Sequence, residues 1–91
     1  MRSAIIHVLG KVQGVCFRRF TLEAARDIGI TGYVTNLSDG SVEILAQGSD
    51  VRVARLIEWC WQGSPLAKVT AVEVKDVEAE EIYLDFSILQ S

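Results

Sequence analysis

Histidine, cysteine and proline are scarce in this sequence: one His, two Cys and one Pro in 91 residues. Each scarcity excludes something. His7, Cys16 and Cys60, with no CxxC pair among them, cannot assemble a zinc set, so no metal is expected. No apolar run approaches the ~20 residues that span a bilayer, and "MRSAIIHVLG" carries no A-x-A-like cleavage site. Neither a membrane partner nor a signal peptide is expected, and a cytoplasmic location follows. Two thiols in a reducing compartment are ordinarily free; a Cys16–Cys60 bridge is the alternative. An excess of positive charge is also missing. Nine Lys and Arg face twelve Asp and Glu, for a net charge of -3, which argues against nucleic acid as the partner. Repeats and low-complexity segments are absent too. What remains is 49% hydrophobic and 23% charged, the make-up of a globular chain long enough for one domain, residues 1–91.

The periodicities sort that chain into elements. "SAIIHVL", residues 3–9, is β-branched and apolar on both faces and reads as a central strand. "FRRFTLEAARDIG" places Phe17, Phe20, Ala24 and Ile28 at helical spacing, with Thr21 and Ala25 beside them and Gly29 as the stop. "ITGYVTN" and "SVEILAQG" read as strands joined by a hairpin turn at Asp39-Gly40. In the second of these, Val42, Ile44 and Ala46 alternate with Glu43 and Gln47. Asp50 is the expected cap of a helix over 51–62, with Val53, Leu56, Ile57 and Cys60 inward and Trp61 at the edge. "KVTAVEVKDV" is a further strand, and "IYLDFSIL" a last one with Ile82, Leu84, Phe86 and Ile88 on one face. The order β-α-β-β-α-β, with a possible extra short strand, predicts an α+β, ferredoxin-like split βαβ fold. Two helices would cover one face of a mainly antiparallel sheet. The other face would be partly solvated, suiting Glu43, Gln47, Glu73 and Lys75.

Chemistry is concentrated in "GKVQGVCFRR", residues 10–19. A loop feeding a helix N-terminus aims free backbone N–H groups at one point, and the helix dipole adds positive charge there. Gly10 and Gly14 can take positive φ and let backbone approach a ligand. Arg18, in the first helical turn, offers a planar fork for two oxygens of a phosphate or carboxylate. The same stretch also reads as a plain connection with solvated Arg18 and Arg19, and the residues alone leave both readings open. Arg19 is turned about 100° from Arg18 on a helix, so both cannot face one phosphate; surface is the expectation for it. Asn36 carries a donor and an acceptor at the end of a strand, and by itself reads as a turn residue.

Gly10-Lys11-Val12-Gln13-Gly14-Val15-Cys16-Phe17-Arg18 resembles the G-x-V-Q-G-V-x-F-R signature of acylphosphatases. "TGYVTNLSDGSVEILAQG", residues 31–48, is similar to that family's second signature, and the similarity extends over nearly the whole chain. "GSP" stands where a Gly-Pro-Pro-like segment is frequent. The resemblance implies hydrolysis of the carboxyl-phosphate bond of a small-molecule acyl phosphate to carboxylate and orthophosphate, with no cofactor and no metal. It implies that Arg18 binds the phosphate with the loop amides of Gln13, Gly14, Val15, Cys16, Phe17 and Arg18, and that Asn36 orients the attacking water. Phosphate or sulfate would bind as product or inhibitor, and the protein would be a monomer. No general base is evident. His7, mid-strand between Ile6 and Val8, is expected on a sheet face, and in the family the substrate's own phosphate takes the proton. Lys11 reads as solvated, Gln13 as a loop organiser, and Trp59 and Trp61 as packing residues. The competing reading is a module that keeps the anion pocket but serves another protein, as in the N-terminal domains of larger carbamoyl-transferring maturation proteins. An RNA- or metal-binding ferredoxin-like domain is disfavoured by net charge and by too few ligands.

Overall fold

Residues 1–90 are described by the computed structural model. The elements in chain order are β1 (Arg2–Lys11), α1 (Phe17–Ile28), β2 (Thr31–Asn36), β3 (Val42–Gly48), α2 (Asp50–Gln62), β4 (Lys68–Asp76) and β5 (Phe86–Ile88). The sheet order is β4-β1-β3-β2-β5. The first four strands pair antiparallel in the ferredoxin-like pattern, and β5 adds parallel to the outer edge of β2. β5 is the extra short strand that the sequence admits.

Period-two alternation sets the register. Ala4, Ile6 and Val8 of β1 lie opposite Ala46, Ile44 and Val42 of β3, and all six are fully buried under the helices. Slipping either strand by one residue would turn the whole set to the open face. α1 contributes Phe17, Thr21 and Ala25, spaced by four, and α2 contributes Val53, Leu56 and Cys60. Each large apolar side chain so buried stabilises by about 1.5–3 kcal/mol.

Five expectations need correction. Phe20 is exposed rather than inward, because the line of contact runs through 17, 21 and 25. Thr21 is buried there instead, its hydroxyl donating to the Phe17 carbonyl at 2.8 Å. Ser49, not Asp50, caps α2. It is extended and accepts from the Arg52 amide at 3.3 Å, while Asp50 is the first helical residue, where its charge suits the dipole. β1 runs on to Lys11 through a register shift at Leu9/Gly10. Gln47 is 1% exposed, not solvated. Its side-chain amide donates to the Glu81 carbonyl at 2.8 Å and accepts from the Tyr83 amide at 2.9 Å, holding the segment before β5 as a neighbouring strand would. The last strand is only three residues long: in the parallel register that sets Phe86 against Gly32, Leu84 and Ile82 would fall opposite residues 30 and 28, before β2 begins. Ile82 and Leu84, left without a partner strand, are exposed.

Candidate active site

The connection between β1 and α1 is short and held from beneath. Val12, Val15 and Phe17 are buried, and the Phe17 ring meets Trp59 at 5.6 Å between centroids. The Ser64 hydroxyl, itself buried, donates to the Val15 carbonyl at 2.8 Å. The side-chain amide of Gln13 donates to the carbonyls of Leu37 (2.8 Å) and Ser41 (2.9 Å), tying the loop to the hairpin that follows β2. That hairpin is braced by Asp39, which accepts from the Ser41 hydroxyl at 2.6 Å and from its amide at 2.9 Å. Those two bonds hold the Asp39 carboxyl below the usual carboxylate range.

Above these anchors the backbone folds into a concavity. Gly14 has φ 74° and Cys16 has φ 60°, ψ 24°. A left-handed non-glycine residue stores strain of about 1–3 kcal/mol and clusters at functional sites. Alternation of hand along a short stretch turns successive N–H groups to one side as an anion nest. Cys16 is the N-cap of α1 yet makes no side-chain cap hydrogen bond, and the first turn carries no acid. Among the described residues nothing accepts from the amides of Val15 to Arg18. A helix start of this kind, with two arginines in its first turn and free amides, has the chemistry to receive an anion.

A cavity of about 350 Å³ opens over the nest. Gly14, Cys16, Phe17, Arg18 and Arg19 line it from the loop and helix, Asn36 from the end of β2, and Ile88 and Gln90 from β5 and its tail, with Val12 below. Arg18 is half-buried and Arg19 exposed. Among the described residues no carboxylate lines this space. Asn36 supplies its one anomaly. Its Oδ1 is buried with no hydrogen-bond partner, alone in this among the side-chain polar atoms of the described residues. A buried amide carbonyl without a donor costs about 1–3 kcal/mol, and here no group of the described residues supplies one.

Of the residues singled out by the sequence, Gly14, Cys16, Phe17, Arg18 and Asn36 meet around this cavity. Two others do not line it. Gln13 turns to the hairpin, and the Val15 side chain enters the core. Arg19 departs from expectation: it is exposed, yet it forms part of the wall, because the cavity sits over the end of the helix and consecutive residues splay around its rim. Sequence reasoning missed the left-handed Cys16, the Ser64 anchor and the contribution of Ile88 and Gln90. Ser64 stands in "GSP", where only a family-like segment is apparent, and nothing local marks the other three. His7 lies on the opposite sheet face, bonded to Glu43 at 2.8 Å. Cys16 and Cys60 are both free thiols, and burial pushes the Cys60 thiol up to about 12. Among the described residues no three His, Cys, Asp or Glu side chains gather as a metal site, and no helix is long and apolar enough to cross a membrane.

Comparison with known proteins bears on this geometry. Residues 4–88 match the family model described as Acylphosphatase. An acylphosphatase of Shewanella amazonensis is 69% identical over 91 residues, covering 100% of both chains. One of Shewanella oneidensis is 53% identical over 99% of this chain and 100% of its own length. In three dimensions the chain is similar to a crystal structure of acylphosphatase from Bacillus subtilis, with a TM-score of 0.94 at 39% identity over 98% of this chain and 99% of that one.

Proposed function

This chain belongs to the acylphosphatase family, and from that premise we propose that it hydrolyses the carboxyl-phosphate bond of small acyl phosphates at the cavity over the α1 N-terminus. It is a hydrolase of that family; the division of labour among its residues is the proposal. The phosphoryl group sits in the nest, taking hydrogen bonds from the amides of residues 13–18 and two-point contact from the Arg18 guanidinium. The helix dipole and Arg18 then oppose the negative charge that spreads over the equatorial oxygens in the transition state.

Asn36 holds the attacking water. The terminal torsion of an amide is soft, so a turn about it brings Oδ1 onto a water O–H and leaves an oxygen lone pair aimed at phosphorus. The water oxygen bonds to phosphorus and the bond from phosphorus to the acyl oxygen breaks. The carboxylate departs with the bonding pair, and the water's proton passes to a phosphoryl oxygen. A carboxylate leaves without acid help. Among the described residues no side chain lining the cavity is a carboxylate or imidazole that would serve as base, which fits substrate-assisted proton transfer. The observation that carries the reading is the unpartnered Asn36 Oδ1 beside the cavity that Arg18 enters. We further infer a single catalytic domain acting as a cytoplasmic monomer without metal or cofactor, inhibited by orthophosphate or sulfate.

The test is orthophosphate release from acetyl phosphate by the purified chain, with and without a chelator. Turnover unaffected by chelation is expected. Phosphate binding at the loop amides with no hydrolysis of any acyl phosphate would overturn the enzymatic reading in favour of an anion-binding module.

A further inference from the structure

The cavity holds more positive charge than one phosphoryl contact uses. Arg18 and Arg19 both line it, about 100° apart around the helix. With Arg18 on the phosphoryl group, Arg19 flanks whatever is attached to that group. The space allows an attachment: about 350 Å³ is roughly twelve times the ~30 Å³ share of a liquid water, against the five heavy atoms of a phosphate. Beyond the loop the cavity is lined by Ile88 and Gln90, and the half-buried Ile88 offers an apolar surface to methylene groups.

The charge at this end is uncompensated within the described residues. Arg2 is paired with Asp76 at 2.8 Å and Arg26 lies 3.7 Å from Asp85. Arg19 has no such partner there, as Arg18, Arg52 and Arg55 have none; what sets Arg18 and Arg19 apart is that they share one cavity which no carboxylate of the described residues lines, beside a first helical turn without an acid. A guanidinium at the positive end of a helix is unfavourable unless an anion offsets it. Resting on the hydrolase reading above, we propose that Arg19 is a specificity-determining residue that selects acyl phosphates whose acyl chain ends in a second anionic group, a carboxylate or phosphate, over those with a neutral chain.

Two measurements test this. The first is kcat/KM for succinyl phosphate relative to acetyl phosphate, in the parent and in Arg19→Gln and Arg19→Lys. The expected result is a fall in that ratio of roughly three- to tenfold in Arg19→Gln, the scale of one charged contact at a partly exposed rim. Arg19→Lys should retain part of the preference, because it keeps the charge but not the planar fork. The second does not depend on turnover: the affinity of 3-phosphonopropionate relative to propylphosphonate by calorimetry, in the same three proteins, at low and high salt. Its ratio should fall in parallel and shrink as salt screens the contact. Proportional loss on both members of each pair would show that Arg19 merely steers any dianion, and an unmoved ratio would show that it does nothing; either overturns the proposal. Absence of acetyl phosphate hydrolysis in the parent would strike the hydrolase reading, while the phosphonate ratio would still decide the role of Arg19.

Discussion

Replacing Asn36 by leucine keeps the branching of the side chain and exchanges the amide for two methyl groups. The buried Oδ1 without a partner disappears, and with it a desolvation penalty of about 1–3 kcal/mol. For a domain of this size each kcal/mol moves Tm by roughly 4–8 °C, so Asn36→Leu should melt several degrees above the parent. The same change removes the group proposed to hold the water. Loss of one preorganised polar group costs about 10²–10³ in kcat. Phosphate inhibition should be nearly unchanged, because the proposed role of Asn36 is on the water rather than the phosphoryl group. The assays are a thermal melt by circular dichroism, kcat on acetyl phosphate and the inhibition constant of orthophosphate. A variant that melts below the parent refutes the account of the orphaned carbonyl. One that keeps full kcat refutes the water-positioning role, and one with a much weakened phosphate constant shows that Asn36 binds phosphate directly.

Gly14→Ala and Gly10→Ala should differ although both glycines have positive φ. At Gly14 (φ 74°) a methyl group meets nothing within 4 Å, so only the backbone penalty of about 1–2 kcal/mol applies. At Gly10 the methyl group also collides with the Lys68 carbonyl oxygen and forces β1 off β4, so its urea midpoint should fall much further; equal losses would contradict the geometry. Stability should fall as pH rises from about 9 to about 12. Burial holds Cys60 protonated up to about 12 against 9.0, and burial together with the bond to Glu43 does the same for Tyr33 against 10.0. The folded chain then binds protons that the unfolded chain has already released. Urea midpoints at pH 8 and 11 measure this; Tyr33→Phe should flatten the decline, and a level profile in the parent would be inconsistent with it. Gln13→Ala removes both bonds to the hairpin carbonyls, at about 0.5–1.5 kcal/mol each. It should weaken phosphate binding and speed amide exchange in the loop, and unchanged exchange would show that the loop is held by other contacts.

Periodicity and punctuation in the sequence determine the elements and their order here. Alternation at Ala4, Ile6 and Val8 and at Val42, Ile44 and Ala46 leaves one register that buries both sets, and Gly29 and Asp39-Gly40 end elements where only certain backbones can turn. The basic, glycine-containing stretch before α1 was legible for the same reason: charge, backbone freedom and a helix start are properties of consecutive residues. The remainder depends on partners distant along the chain. Whether Ile82 and Leu84 are buried depended on how far β2 offers a free edge, and whether Gln47 is solvated depended on where residues 81–83 return. Cys16 gave no local sign of its left-handed backbone, which is imposed by Val15 and Phe17 anchoring in the core on either side. Asn36 taken by itself reads as a turn residue, and only the family resemblance singled it out; the fold puts it beside the cavity with Arg18, 18 positions earlier in the chain. Local pattern is set by the energetics of a few neighbouring residues, whereas a site made from a loop, a strand end and a C-terminal tail exists only once long-range packing brings them together.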